Sequence, residues 1–237
     1  HLGCIGPCKK VEKDTYTGLN RVPFRNSREV FYGVTSSGGQ AVEWYVKDFI
    51  GAADVKEYLE QVSGTTKALP VALDNDLIFL PYLEGERNPW NNPSARGVLF
   101  GLNRSHRRAD VAAAVLEGVC FALRTIYDRL PEKPELMIVS GGASFNNTWN
   151  QMKADVMNVK FGSLEITEVG CAGAAMLAIS ALHPEVSPEK FSEEMLKIKE
   201  LYYPNSERHA VYERKYQKFL KLYRCLNREF WNQEETI

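Results

Sequence analysis

ELMIVSGGASFNNTWNQMKADVMNVKFGSLEITEVGCAGAAMLA, residues 135–178, reads as a strand, a glycine turn, a helix, a second strand and a second helix. Leu136, Met137, Ile138 and Val139 make a short apolar run that suits a buried strand. At Gly141 and Gly142 a side chain would bar a left-handed backbone and hold a ligand away from the main chain. Asn146 and Asn147 offer a helix cap. Trp149, Met152 and Val156 then recur at i, i+3 and i+7, which predicts a buried stripe, while Asn150, Lys153 and Asp155 fall off it and are expected to point elsewhere. A glycine turn feeding a helix start presents free N–H groups and a partial positive charge, which attract a phosphate oxygen. The same turn is also an ordinary strand-to-helix connection in α/β proteins, so the glycine pair by itself does not identify a nucleotide site.

The flanking sequence continues the α/β pattern. Upstream, Cys4–Val11 and Val30–Val34 read as strands, with polar Glu12–Ser27 as a loop between them. Gln40–Ile50 and Val55–Val62 read as helices and Leu77–Leu80 as a short strand, after which Pro81, Pro89 and Pro93 break regular structure. From Arg107 to Leu130 the residues Val111, Val115, Val119, Leu123 and Ile126 recur at helical spacing, predicting a long core-facing helix. Downstream, Val159–Ile166 predicts a strand, and the small residues of Ala172–Leu182 predict a helix held close against a sheet. Glu207–Phe230 predicts an amphipathic helix with Tyr212, Tyr216, Phe219, Leu222, Tyr223 and Leu226 inward and a solvated charged face outward.

With 237 residues, 44% of them apolar and 25% charged, the chain can bury a large single core. A net charge of −1 gives no electrostatic footprint for nucleic acid or an anionic membrane. Five cysteines suit reduced thiols in a cytoplasm. Cys120 and Cys171 fall in helical patterns and are expected as small buried thiols, and no cluster accompanies Cys4 and Cys8 to complete a zinc site, so no metal ligand is assigned.

Three ordered blocks carry a resemblance: Gly33–Trp44, GVTSSGGQAVEW; Phe79–Glu117, FLPYLEGERNPWNNPSARGVLFGLNRSHRRADVAAAVLE; and the SGGASFNNTWNQMKAD turn with its small-residue helix. In this order, and with Gly97, Gly101, Leu102, Asp110, Ala114 and Glu117 at their spacings, the chain resembles the FGGY carbohydrate kinases. Its PYLEGERNPWNNPSARGVLFGL wording is similar to members that phosphorylate pentuloses such as xylulose, or gluconate. The resemblance implies an α/β, actin-like ATPase (ribonuclease H-like) domain, a mixed central sheet flanked by helices with a C-terminal helical tail. It implies one domain over 1–237, the C-terminal lobe of a two-lobe kinase, with a partial hairpin and loop over 1–28, a core over 29–182 and a helical tail over 183–237. ATP and Mg²⁺ are the implied cofactors. Gly142 would bring its backbone to the phosphates, Asn146 its amide to the adenosine, and Gly39, Glu43 and Gly141 would border the pocket, Glu43 standing where some members carry Gln.

By the same resemblance the catalytic base, an aspartate in a Gly-Asp motif, is expected upstream of His1, so no catalytic residue is assigned within the chain and the chain alone is expected to be inactive. Expected partners are a sugar, ATP, the N-terminal lobe and, as a homodimer, a second copy; nucleic acid and membrane are not expected. Arg87, Arg96 and Arg104 are read as loop-pinning residues, and Asp110, Asp155 and Glu117 as capping and packing residues. An actin-like or chaperone ATPase would share the phosphate turn without the PYLEGERNPWNNPSARG block. A non-enzymatic regulator on the same fold stays open.

Overall fold

The computed structural model describes residues 2–7, 18–24, 27–64, 76–183, 185, 192 and 196–231. In chain order the elements are β1 (Leu2–Pro7), β2 (Asn20–Phe24), β3 (Arg28–Gly33), α1 (Gly38–Trp44, continued by a π-helical turn to Phe49), α2 (Val55–Gly64), β4 (Ile78–Leu80), β5 (Val98–Phe100), α3 (Arg108–Tyr127), β6 (Leu136–Val139), α4 (Asn147–Met157), β7 (Lys160–Leu164), α5 (Val169–Leu182), β8 (Ile198–Tyr202) and α6 (Ser206–Leu226, continued by a π-helical turn to Trp231). Three sheets result: antiparallel β1-β3-β2, the ribbon β4-β5, and β6-β7-β8, in which β6 and β7 run parallel and β8 antiparallel.

Two strands depart from the sequence expectation. β2 lies in the segment read as a loop, because every one of its residues is exposed and apolar alternation is therefore missing. It is held by its register with β3, Val22 opposite Val30, and by the Arg21–Glu29 ion pair at 2.6 Å. β8 lies within the expected helical tail. Of its five residues only Tyr202 is buried, and pairing with β7 supplies what its own pattern does not.

The long α3 is the pillar of the core. Asp110 caps its start, its Oδ2 accepting from the Arg107 N–H at 2.6 Å. Nearly the whole circumference of α3 is buried, against β4, α4 and α6, through Val115, Val119, Phe121 and Ile126. At Gly118 the contact is so close that a Cβ would lie 2.3 Å from the Phe79 carbonyl oxygen. Because that neighbour is strand backbone, Gly118→Ala is expected to destabilise the fold by about 1–3 kcal/mol, read as a lower urea midpoint.

α6 packs an aromatic face onto α3. Phe219 lies 5.5 Å from Phe121 and edge-on to Tyr82 at 6.2 Å, while Tyr223 stacks on Trp90 at 4.5 Å. α4 corrects the expectation for its polar residues, since Asn150, Lys153 and Asp155 are all buried. Packing with α6 provides the partners: Asp155 accepts from Arg208 Nε at 2.6 Å and from the Asn205 N–H at 2.8 Å. Asn150 donates to the Ser144 carbonyl at 2.8 Å and accepts from Lys153 Nζ at 3.0 Å. In α5, only Ala172 and Met176 are buried, so its small residues do not seat it against the sheet as expected. Cys171 and Cys225 are exposed, whereas Cys120 is buried; Cys8 lies outside the described residues.

Candidate functional site

The glycine turn after β6 has a more particular shape than strand-turn-helix. Gly141 takes φ 73° and ψ −167°, a backbone that side chains strain to adopt, and its carbonyl accepts from the Ser144 N–H at 3.0 Å and from Ser144 Oγ at 2.7 Å. A single 3₁₀ turn, Gly142–Ser144, then separates it from α4, whose N-cap is Asn146, its Oδ1 accepting from the Trp149 N–H at 2.8 Å. Open space surrounds both glycines, and the conformational need belongs to one of them. The left-handed backbone is at Gly141. At Gly142 a Cβ would meet nothing within 4 Å, and the same holds at Gly39.

Gly39, Glu43, Gly142 and Asn146 come together around one cavity of about 440 Å³. Gly141 supports this cavity's rim without lining it. The walls were not assigned from sequence: Val42 from α1, Val55 and Leu59 from α2, and Phe145 and Trp149 beside the glycine turn. Val55 and Leu59 carried a helix signal that reads as core, and an aromatic at Phe145, 53% exposed beside two glycines, was the one local clue. Lys56 lies 6.0 Å over the Phe145 ring. Glu43 is occupied by an i,i+4 ion pair with Lys47 at 2.6 Å, and Asn146 keeps its amide N–H₂ beyond its capping bond. The apolar walls, the open glycine backbone and a few polar groups suit a flat heterocycle with a phosphate tail.

A second, larger cleft of about 1050 Å³ shares Gly39 and Trp149 with the first and runs past Thr35, Ser36, Glu84 and Arg87. Its turn is held by Glu86, whose Oε2 accepts from Thr35 Oγ1 at 2.7 Å and whose Oε1 accepts from the N–H groups of Ser36 at 3.1 Å and Arg87 at 2.8 Å. Glu86 is in turn tied by reciprocal backbone bonds at 2.8 Å to Asn92, whose amide donates to Tyr223 Oη at 3.2 Å and Asn227 Oδ1 at 2.8 Å in α6 and its extension. Arg96 is a loop pin as expected, donating to the Pro93 and Ala95 carbonyls at 2.8 and 2.7 Å.

Burial pushes the Glu86 carboxyl up to about 7, against the pull of its three hydrogen bonds. A folded-state pKa above the ordinary 4.5 contributes stability that is fully present below that value and lost as pH rises through about 7. Glu86→Gln removes this titration. Between pH 5 and 8 the wild-type chain is therefore expected to lose on the order of 2–3 kcal/mol more than the variant, measured by urea unfolding across pH. Glu117, also pushed up to about 7 by burial, titrates in both proteins and cancels in the difference.

Residues 22–182 match the C-terminal domain of the FGGY family of carbohydrate kinases. The chain belongs to that family. It is 31% identical over 199 residues to a xylulose kinase of Staphylococcus epidermidis, covering 81% of this chain and 38% of that protein. A xylulose kinase of Escherichia coli is 39% identical over 152 residues, covering 62% of this chain and 31% of that protein. Among solved structures, a ligand-bound xylulose kinase from Lactobacillus acidophilus superposes with a TM-score of 0.83 at 24% identity, over 97% of this chain and 46% of that one. The fold is therefore the actin-like ATPase fold of the FGGY kinases, and the chain spans less than half the length of these relatives. Among the described residues of this FGGY domain no helix is long and apolar enough to cross a membrane, and no three His, Cys, Asp or Glu side chains cluster to hold a metal ion.

Proposed function

We propose that this FGGY domain is the ATP-binding lobe of a cytoplasmic carbohydrate kinase that transfers the γ-phosphate of ATP to a hydroxyl of a pentulose such as xylulose. The observation that carries the reading is the convergence of Gly39, Gly142 and Asn146 on one cavity with apolar walls. The purine lies between Val42, Val55, Leu59 and Phe145. The Asn146 amide donates to an oxygen of the adenosine, and the phosphates run across the open backbone of Gly142 toward the larger cleft. Xylulose kinase relatives support the sugar class. Free thiols at Cys4, Cys120, Cys171 and Cys225 suit a reducing compartment.

Mg²⁺ would arrive on the nucleotide's phosphates, since a small cation that keeps most of its waters needs few protein ligands, and there it would neutralise charge on the transferred group. This chain's share of catalysis is to bind and orient the phosphates and exclude water around them; the base for the sugar hydroxyl is expected on the other lobe. The test is sugar-dependent release of ADP by a polypeptide carrying both lobes, with xylulose, ribulose, glycerol and gluconate as acceptors. Xylulose is expected to give the highest kcat/KM. Nucleotide binding with no acceptor-dependent ADP release from any of the four overturns the kinase reading.

A further inference from the structure

The smaller cavity has charge at its mouth as well as apolar walls. Lys56 and Glu60 stand one turn apart on α2, and both line the cavity. Lys56 Nζ and Glu60 Oε1 lie 3.9 Å apart, a loose contact between side chains that are 67% and 63% exposed, so the pair adds little to stability. The other carboxylate on the rim is engaged differently. Glu43 is held at 2.6 Å by Lys47, which does not line the cavity. Among the described residues around this cavity Lys56 is therefore the one cation, and it stands beside a loosely held acceptor. Phe145 gives a flat base its platform. Its ring is 53% exposed, and Lys56 Nζ lies 6.0 Å from the ring centroid. A base stacked on that ring sits about 3.5–4 Å above it, which moves the amine on its flexible stem from the ring face to the edge of the base.

Given the nucleotide reading of the smaller cavity, on which this rests, we infer that Lys56 and Glu60 select adenine from the other purines by reading the edge that carries N7 and position 6. On that edge adenine sets an acceptor, N7, beside a donor, the 6-amino group. Lys56 has donors and no acceptor, and an ionised Glu60 has acceptors and no donor, so the two side chains complement the edge atom for atom. Their order follows from the fold. N7 belongs to the five-membered ring that bears the ribose, and Lys56 is the member of the pair beside Phe145 and the glycine turn; position 6 lies farther out, where Glu60 stands one turn further along α2. Hypoxanthine and guanine keep N7 but carry a 6-oxo group, which turns an acceptor toward the Glu60 carboxylate. Two acceptors facing each other leave both without a bond, and that mismatch is what discriminates. Water reaches both side chains and takes up part of the mismatch, which holds the preference to about ten-fold instead of the far larger factors of a buried site.

Calorimetric titration of the chain with ATP and with ITP, which share N7 and differ at position 6, tests the assignment. The parent chain is expected to bind ATP about ten-fold more tightly than ITP. Glu60→Gln carries an amide that turns to accept from a 6-amino group or to donate to a 6-oxo group, so it is expected to bring the two nucleotides within about two-fold of each other. Lys56→Met is expected to weaken both by the same factor, about three-fold or more, because N7 is unchanged between them. Glu57→Gln, on the same helix and lining neither cavity, is expected to keep the parent's ratio. The ratio of the two affinities is the decisive readout, since a merely structural change at α2 weakens ATP and ITP together. A Glu60→Gln chain that keeps the parent's preference for ATP overturns the inference and leaves the pair a solvated contact on α2. So does a parent chain that binds ATP and ITP equally. A parent chain that binds neither nucleotide is a different result: it overturns the nucleotide reading of the cavity itself, and the adenine assignment falls with it.

Discussion

Gly142→Val is expected to weaken ATP binding by at least about 30-fold, or about 2 kcal/mol, while leaving thermal unfolding nearly unchanged. The two halves of that result follow from the same geometry. A Cβ at Gly142 meets no atom within 4 Å, so the folded chain accommodates it, yet the space it enters is the cavity bordered by Gly39 and Asn146. A β-branched side chain there has one stiff rotamer and cannot swing aside. Gly141→Ala is the opposite case. Its Cβ also meets nothing, but the backbone at φ 73° strains any side chain, so stability falls by about 1–3 kcal/mol whatever binds nearby. Thr148→Val, at the second residue of α4 and lining neither cavity, serves as the control. Calorimetric titration with ATP beside thermal unfolding separates them. Normal ATP binding by Gly142→Val would show that this turn is purely structural.

Removing one partner of the buried pair between Glu117 on α3 and Lys215 on α6 is expected to have the largest effect on stability. Glu117 is 1% exposed and its second carboxylate oxygen has no partner among the described residues. Lys215→Met leaves that carboxylate buried without its cation, which costs about 3–5 kcal/mol at pH 8. Burial already holds the Glu117 carboxyl up at about 7, and without the cation it rises further. The cost therefore shrinks as pH falls toward 5, where the carboxyl is protonated in both proteins. Replacing both residues, as Glu117→Leu with Lys215→Met, is expected to recover stability to within about 1–2 kcal/mol of the parent, because a buried pair and a packed apolar pair of similar volume are nearly equivalent. Urea unfolding of the three chains at pH 5 and 8 tests both sign and size. Equal destabilisation by the single and double variants would place the energy in packing shape and not in the charge.

What the sequence disclosed tracks how local the signal was. α3 and the inward face of α6 were legible because repeated apolar spacing reports burial directly, whereas the apolar run of β6 disclosed a strand but not its burial, since only Met137 of its four residues is buried and Ile138 is exposed. β2 and β8 were not, since β2 is wholly exposed and β8 buries one residue, so pairing alone makes them strands. Polar Asn150, Lys153 and Asp155 were read as pointing away from the buried stripe; the Asp155 partners Asn205 and Arg208 are visible only once α6 packs on α4, while Asn150 and Lys153 are met locally, by the Ser144 carbonyl and by each other. At the site, glycines and a capping asparagine announced themselves. The walls from α1 and α2 did not, because Val42, Val55 and Leu59 carry the same helix-face pattern as core residues and only the tertiary arrangement turns them toward a cavity.

The chain of bonds from Tyr223 and Asn227 through Asn92 and Glu86 to Thr35 and Ser36 joins the last helix to a turn almost two hundred residues earlier in the sequence. Each link is short and the groups along it are largely buried, so no one of them can be released without exposing the next. Under force or protease attack, the C-terminal helix and the Thr35 turn are then expected to let go as one body, with a single rate. A cut that frees residues after Tyr223 would be felt first at the mouth of the larger cleft.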